Sequence, residues 1–238
     1  VHKAVERMTL AWPHVLPDDC AEQLEALLLE ELTSHGFEDA AMAREAPLAR
    51  NSARWLATFE ADRRARGIGI RVEERVEMLL PSARGPFRLT AKADRIELSA
   101  TGAAVLDFKT GAIPTAKQVK RGFSPQLTLT GAILAEAGLA DAGPVAPEEL
   151  TYIRVVGRKT PGEAKTHATG AEAQALSMAA LEGLRRRIAR FDDPQTPYAS
   201  WVAPQFMGGF GGHYDHLARV WEWHVVGGED PAEGGDAE

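Results

Sequence analysis

Apolar residues recur at helical spacing through the first third of the chain, which predicts three helices before any strand. The first helix ends at Trp12, ahead of two prolines. The second follows Asp18 or Asp19 as its N-cap and ends at Gly36, and the third spans about 47–66. We therefore expect the N-terminal third of the chain to be helical and the strands to follow it in the sequence.

From about residue 70 the apolar positions alternate with charged ones, a period of two that is typical of half-buried strands. Three strands are predicted, at 70–80, 87–98 and 103–109, joined in meander order by short turns. The third is the most continuously apolar, so we place it at the centre of the sheet.

The remaining chain alternates helical and extended patterns. The predicted elements are a short helix at 115–122, a helix from an N-cap at Ser124 to about 137, a strand at 149–156, a polar and mobile segment at 157–169, a long helix at 170–191, an irregular stretch at 192–212 and a last helix at 214–224. This mixture of elements predicts an α/β fold with a central mixed sheet of four to five strands flanked by helices.

A candidate site lies where the third strand ends, in the stretch Leu-Asp-Phe-Lys-Thr-Gly at 106–111. Side chains alternate along a strand, so Asp107 and Lys109 project to the same side. An acid and a base placed in this way suit a metal ligand beside a group that handles water or phosphate. The alternative for Lys109 alone is an ordinary surface residue.

The preceding strand supplies a second carboxylate. A hairpin turn near 100–101 places Asp94 opposite about position 107. Two neighbouring carboxylates repel each other unless a cation lies between them. Oxygen ligands with room for water suit Mg²⁺ or Mn²⁺.

Charge and composition refine this picture. The net charge is −7, but residues 227–238 carry five acidic residues and no basic one, and we expect them to form an acidic disordered tail. Arginines cluster at 44–66 and 185–190, and we expect them to form solvated helix faces unless they surround an active site.

No apolar run is long enough to span a bilayer, so no membrane partner is expected. The single cysteine, Cys20, excludes an internal disulfide and suits a cytoplasmic location.

Together these stretches resemble the RecB-like nucleases of the PD-(D/E)xK superfamily. The matching segments are 1–6, with a helical His2, then 91–96, 106–111 and 125–129. The resemblance implies a restriction-endonuclease-like core and a Mg²⁺- or Mn²⁺-dependent deoxyribonuclease of exonuclease type. Residues 214–220 look like the C-terminus of AddB subunits of AddAB helicase–nucleases. This likeness implies a nuclease domain at 1–226 of a longer protein, an AddA-like partner, single-stranded DNA as substrate and a role in double-strand break repair.

The same resemblance implies residue roles. Asp94, Asp107, His2 and the main-chain carbonyl of Phe108 would ligate the metal. Lys109 would act on the water and the scissile phosphate, and Gln126 would support the site from its helix. No iron–sulfur cluster is expected, because the four cysteines that hold one in many AddB proteins are missing.

Some features depart from the family pattern or leave alternatives open. Ala91 replaces the usual glycine before the metal-binding aspartate, and Thr130 replaces the usual tyrosine after Gln126. Any of three glutamates could be the upstream acid: Glu73, Glu74 or Glu77. The alternative function is a catalytically inactive module that binds DNA or the partner subunit. A small-molecule hydrolase is not supported, because no nucleophile-elbow or phosphate-loop motif is present.

Overall fold

A five-stranded mixed sheet forms the middle layer of the computed structural model, in the order β1-β2-β3-β4-β5. The strands are β1 Gly69–Leu80, β2 Phe87–Leu98, β3 Ala103–Lys109, β4 Pro147–Val155 and β5 Gly162–Thr169. The predicted meander and the central position of β3 are both confirmed. β3 and β4 run parallel while the other pairs are antiparallel, because a helical crossover joins β3 to β4.

Helices cover both faces of the sheet. They are α1 His2–Ala11, α2 Cys20–Ser34, α3 Asp39–Arg64, α4 Ala116–Lys120, α5 Gln126–Glu136 and α6 Gly170–Asp192. Leu106 and Phe108 of β3 pack with α1, α2 and α3, whereas Val105 packs with α5 and α6. The period of two in β3 thus separates two apolar cores, and the predicted restriction-endonuclease-like arrangement is confirmed.

The close approach of α5 and α6 depends on Gly131. A β-carbon at this position would lie 2.5 Å from the Oγ of Ser177 on α6. Because α5 also carries Gln126, this contact helps to set the position of the helix relative to the end of β3.

The structure describes residues 1–197. All the elements above belong to the unit Val1–Asp192, and a second unit spans Asp193–Glu238. The predicted helix at 214–224, the AddB-like stretch at 214–220, the domain boundary at 226 and the acidic tail all lie outside the described residues. Within the described part of the chain, no helix is both long and apolar enough to cross a membrane.

The prediction for residues 157–169 is wrong in part. β5 occupies Gly162–Thr169 and pairs antiparallel with β4. This edge strand exposes most of its side chains, so polar residues occupy positions where a buried strand would show an apolar pattern.

Two helix starts also need correction, and a third is predicted at the right position but without its capping hydrogen bond. α3 begins at Asp39 and contains Pro47, which the sequence suggested as its beginning. Asp19 is the N-cap of α2, but its carboxylate accepts a hydrogen bond from the side chain of Gln23 instead of capping the helix. α5 begins after Pro125, one residue later than a cap at Ser124 requires.

Candidate active site

The strand register brings the two predicted carboxylates to one place. Arg95 of β2 faces Leu106 of β3, and continuing this antiparallel ladder by one position sets Asp94 across from Asp107. In the parallel pairing of β3 with β4, Asp107 faces Tyr152. The hairpin inferred from the turn near 100–101 therefore has the predicted register.

The N-terminal helix delivers His2 to the same strand end. Its Nε2 lies 2.9 Å from the carbonyl oxygen of Phe108 and 3.1 Å from Oδ2 of Asp94. The same Asp94 oxygen accepts a hydrogen bond from the backbone N–H of Phe108 at 2.8 Å. The hydrogen bond to Asp94 raises the pKa of His2, despite the opposing effect of partial burial. Three potential metal donors thus converge between α1, β2 and β3.

Asp107 has a different environment. Only 2% of the residue is exposed. Among the described residues neither carboxylate oxygen accepts a hydrogen bond of normal geometry, although Nζ of Lys109 lies 2.5 Å from Oδ2. Burial raises the pKa of Asp107, and the nearby ammonium offsets only part of that effect. A buried carboxylate with so few partners is typical of a site that is completed by a cation.

Lys109 is held by three different groups. Besides the contact with Asp107, its Nζ donates to Oε1 of Gln126 at 3.1 Å. It also lies 5.5 Å from the centre of the Tyr152 ring, within the range of a cation–π contact. Because Gln126 is the first residue of α5, its contact with Lys109 joins this helix to the strand end.

Tyr152 is a site residue that the sequence analysis missed. It is fully buried, its hydroxyl lies 3.4 Å from Oγ of Ser124, and its ring meets that of His167 edge-on. No local signal marks it, because an aromatic residue inside an apolar strand is ordinary core. Thr130, which replaces the tyrosine of the family pattern, is also buried, within α5.

Some of the donor atoms already have the spacing that a divalent ion requires. The separations of 2.9 and 3.1 Å at His2 Nε2 match the spacing of about 3 Å between adjacent ligands of an octahedral Mg²⁺ or Mn²⁺. Within residues 1–197, however, no three His, Cys, Asp or Glu side chains form a preassembled cluster. Asp107 pairs with Lys109 instead, which is the arrangement expected of a carboxylate that must avoid a second negative charge.

Of the three candidate upstream acids, Glu73 is level with Asp94. Val72 pairs with Arg95 and Glu74 with Ala93, so Glu73 occupies the intervening position of β1. Its φ of +53° is the left-handed conformation, which is strained for a residue other than glycine and concentrates at functional sites. Its carboxylate forms an ion pair with Lys92.

Behind the site, a buried ionic network joins α3 to the sheet. Arg95 is fully buried; it donates to Glu97 at 2.7 Å and pairs with Glu60 of α3. Arg63 of α3 donates to the same Glu97 at 2.7 Å and to Glu149 of β4 at 2.9 Å. The sequence analysis treated the arginines of this helix as a solvated face, and for Arg63 that interpretation is wrong.

An open cleft of about 1190 Å³ begins at the same strand end. His2 and Thr110 line it near the carboxylates. Farther along, its walls carry both signs of charge, from Lys3, Arg154, Arg158, Lys165, Glu31, Glu45 and Glu163. The cleft has room for a molecule much larger than a single phosphate, and of the four metal ligands expected from the sequence only His2 lines it.

Comparisons with curated proteins match about a third of this chain. An uncharacterized protein of Rickettsia felis is 38% identical over 81 residues, which cover 34% of this chain and 10% of that protein. One from Rickettsia bellii is 36% identical over 90 residues, which cover 37% of this chain and 11% of its own. The chain thus spans about a tenth of the length of the curated relatives it matches.

Two further comparisons cover most of the chain. The crystal structure of SSO0001 aligns with 76% of this chain and 82% of its own, at 10% identity and a TM-score of 0.33. The family model of the PD-(D/E)XK nuclease superfamily matches residues 1–200. Because that match includes both carboxylate-bearing strands, Lys109 and Gln126, the chain belongs to the PD-(D/E)XK nuclease superfamily.

Proposed function

We propose that this chain contains a Mg²⁺- or Mn²⁺-dependent deoxyribonuclease that hydrolyses phosphodiester bonds. Members of its superfamily are typically metal-dependent nucleases. The observation that carries the proposal is that two groups of functional side chains lie together at the end of β3. His2, Asp94 and the carbonyl of Phe108 converge on one side, and the partner-poor carboxylate of Asp107 lies beside Lys109 on the other.

The residues that would hold the metal are His2, Asp94, Asp107 and the carbonyl of Phe108. A divalent ion bound there would supply positive charge to a phosphate oxygen and lower the pKa of a bound water. Asp94 accepts a hydrogen bond from the backbone N–H of Phe108, and the carbonyl oxygen of the same residue lies 2.9 Å from Nε2 of His2.

Lys109 contributes the second part of the chemistry. If Asp107 gave its oxygens to a cation, the Lys109 ammonium would still be held by Gln126 and Tyr152. From there it would stabilise the negative charge that develops on the scissile phosphate and orient the attacking water. Gln126 and Tyr152 act as positioning residues, because both contact Lys109.

The biological setting is also a proposal. The motif resemblance supports an exonuclease-type domain of a larger helicase–nuclease, similar to AddB and paired with an AddA-like subunit. In that setting the substrate would be single-stranded DNA produced during double-strand break repair in the cytoplasm. The cleft beside the site has room for such a strand.

The proposal is tested by incubating the protein with labelled single-stranded DNA, duplex DNA and RNA in the presence of Mg²⁺, Mn²⁺ or EDTA. We expect DNA cleavage that requires the metal and falls by about 10²–10³-fold in Lys109→Met, because one preorganised donor to the phosphate is lost. Lys117→Met, on the exposed surface of α4, is the matched control and should cleave normally.

Two results would contradict the proposal together. These are an absence of cleavage of any nucleic acid by the wild-type protein, and calorimetric binding of Mn²⁺ that does not change in Asp94→Ala. That combination would favour the inactive module that binds DNA or a partner subunit.

Substitution of Tyr152 should separate the contributions of its ring and its hydroxyl. Tyr152→Phe keeps the ring beside Lys109, so we expect cleavage within about threefold of wild type. Tyr152→Leu removes the cation–π contact and should lower kcat by about 2- to 30-fold, the equivalent of about 0.5–2 kcal/mol. The measurement is single-turnover cleavage at saturating metal, and equal rates for the two variants would exclude a role for the ring.

A further inference from the structure

A second, smaller cavity of about 240 Å³ lies between the α4–α5 segment and α6. None of its lining residues is one of the proposed metal ligands. We call it the α4–α6 pocket and define it by an apolar floor and a basic rim. The floor is formed by Val119, Leu129 and Leu176, and the rim by Lys120, Arg121, Arg186 and Arg187.

The rim concentrates positive charge on a chain whose net charge is −7. Among the described residues that line the pocket, none is acidic. Lys120 and Arg186 make exposed contacts of 3.4 and 3.9 Å with acids outside it, and such pairs contribute little in water. For Arg121 and Arg187, no side-chain partner is present within residues 1–197. Within residues 1–197, these four cations are therefore available to an anionic ligand.

The pocket is continuous in sequence with the candidate active site. Pro125 lines the pocket, and the next residue, Gln126, accepts the hydrogen bond from Lys109. A cationic rim and an apolar floor thus lie next to the beginning of α5, which carries Gln126.

We propose that the α4–α6 pocket holds a single strand of nucleic acid beside the phosphate that is cleaved. The rim contacts backbone phosphates, while the apolar floor receives a base. This proposal rests on the proposed function for the identity of the neighbouring site. A nucleic-acid strand fits better than an acidic peptide, because it alternates charged groups with flat rings that suit the apolar floor.

The test is fluorescence anisotropy of a labelled oligothymidylate in EDTA, measured between 50 and 300 mM KCl. In the double variant Arg121→Gln, Arg187→Gln, loss of two phosphate contacts should weaken binding about tenfold or more at the lowest salt. The slope of log affinity against log salt should fall by about 1.4, at about 0.7 per contact with a single strand.

The matched control is Arg44→Gln, Arg54→Gln, which removes the same charge from two exposed positions of α3 that line neither cavity. We expect its affinity to stay within about twofold of wild type if non-specific attraction is minor. Equal weakening in the two double variants would overturn the proposal, as would competition by polyglutamate as effective as that by unlabelled oligothymidylate.

Hydrolysis of bis(p-nitrophenyl) phosphate with Mn²⁺ separates this proposal from the proposed function. This small diester reaches the active site without using the pocket, so Arg121→Gln, Arg187→Gln should hydrolyse it at the wild-type rate. If the wild-type protein shows no metal-dependent hydrolysis but the arginine variant still loses oligonucleotide affinity, the proposed function fails and the binding surface stands. If hydrolysis is normal and affinity is unchanged, the binding surface alone is overturned.

Discussion

Asp107→Asn is expected to reduce metal-dependent DNA cleavage by about a thousandfold or more, because a lost metal ligand removes several kcal/mol of transition-state stabilisation. The same change should leave the metal-free protein as stable as wild type or more stable. Burial raises the pKa of Asp107, so the ionised carboxylate is disfavoured in the folded protein. An amide of the same shape removes that penalty.

Thermal unfolding with and without Mn²⁺ measures both effects. The wild-type protein should be stabilised by about 2.7 kcal/mol when the free metal is a hundred times its Kd, and Asp107→Asn should lose most of this gain. Asp62→Asn, an exposed change on α3, is the matched control. Undiminished cleavage by Asp107→Asn would rule out the metal-ligand role.

The pH dependence of metal-free stability provides an independent check. A carboxyl group whose pKa is higher in the folded state binds its proton more tightly there. Its stabilising effect is complete below the ordinary pKa of an aspartate and is lost as the pH rises through the raised pKa of Asp107. Asp107→Asn should remove this loss, so the difference in unfolding free energy between variant and wild type should grow from pH 3 to neutrality.

Arg95→Met should destabilise the fold by about 3–5 kcal/mol, the largest loss that we expect from a change outside the metal ligands. The guanidinium is fully buried and pairs with Glu60 and Glu97, which are themselves buried. Removal of the arginine takes away a positive charge next to both carboxylates, in a protein interior that cannot solvate them. Urea unfolding at neutral pH measures the loss.

An exposed ion pair gives the matched control for Arg95. Arg50 donates to Glu25 at 3.0 Å, but more than half of its side chain is in contact with water. Arg50→Met should therefore cost less than about 1 kcal/mol. A loss of similar size in both variants would show that burial of the Arg95 network does not determine its contribution.

Much of the site could be predicted from the sequence because its parts are joined by local patterns. Alternation along β3 gives Asp107 and Lys109 one side of the strand, and a short turn determines that Asp94 lies across from Asp107. Both inferences need only the pleat of a strand and the length of a hairpin. The more distant His2 was included only through the resemblance of its helix to the family pattern.

Other features depended on contacts between residues that are far apart in the chain. Glu60 and Arg95 are separated by 35 positions, and Arg63 and Glu149 by 86. A charged residue on a helix is normally solvated, so nothing local distinguishes these members of the buried network. Tyr152 was missed for a similar reason, since its position beside Lys109 follows from the parallel pairing of β3 with β4.

The amino-acid sequence by itself therefore determined the meander of β1, β2 and β3, the central place of β3 and the alignment of its carboxylates. These features follow from periods of two and from turns of a few residues. Only the tertiary structure decided that Asp107 pairs with Lys109 and that charged α3 residues are buried against the sheet. Both outcomes depend on which side chains are buried away from water, and this is decided only when elements that are distant in the chain pack together.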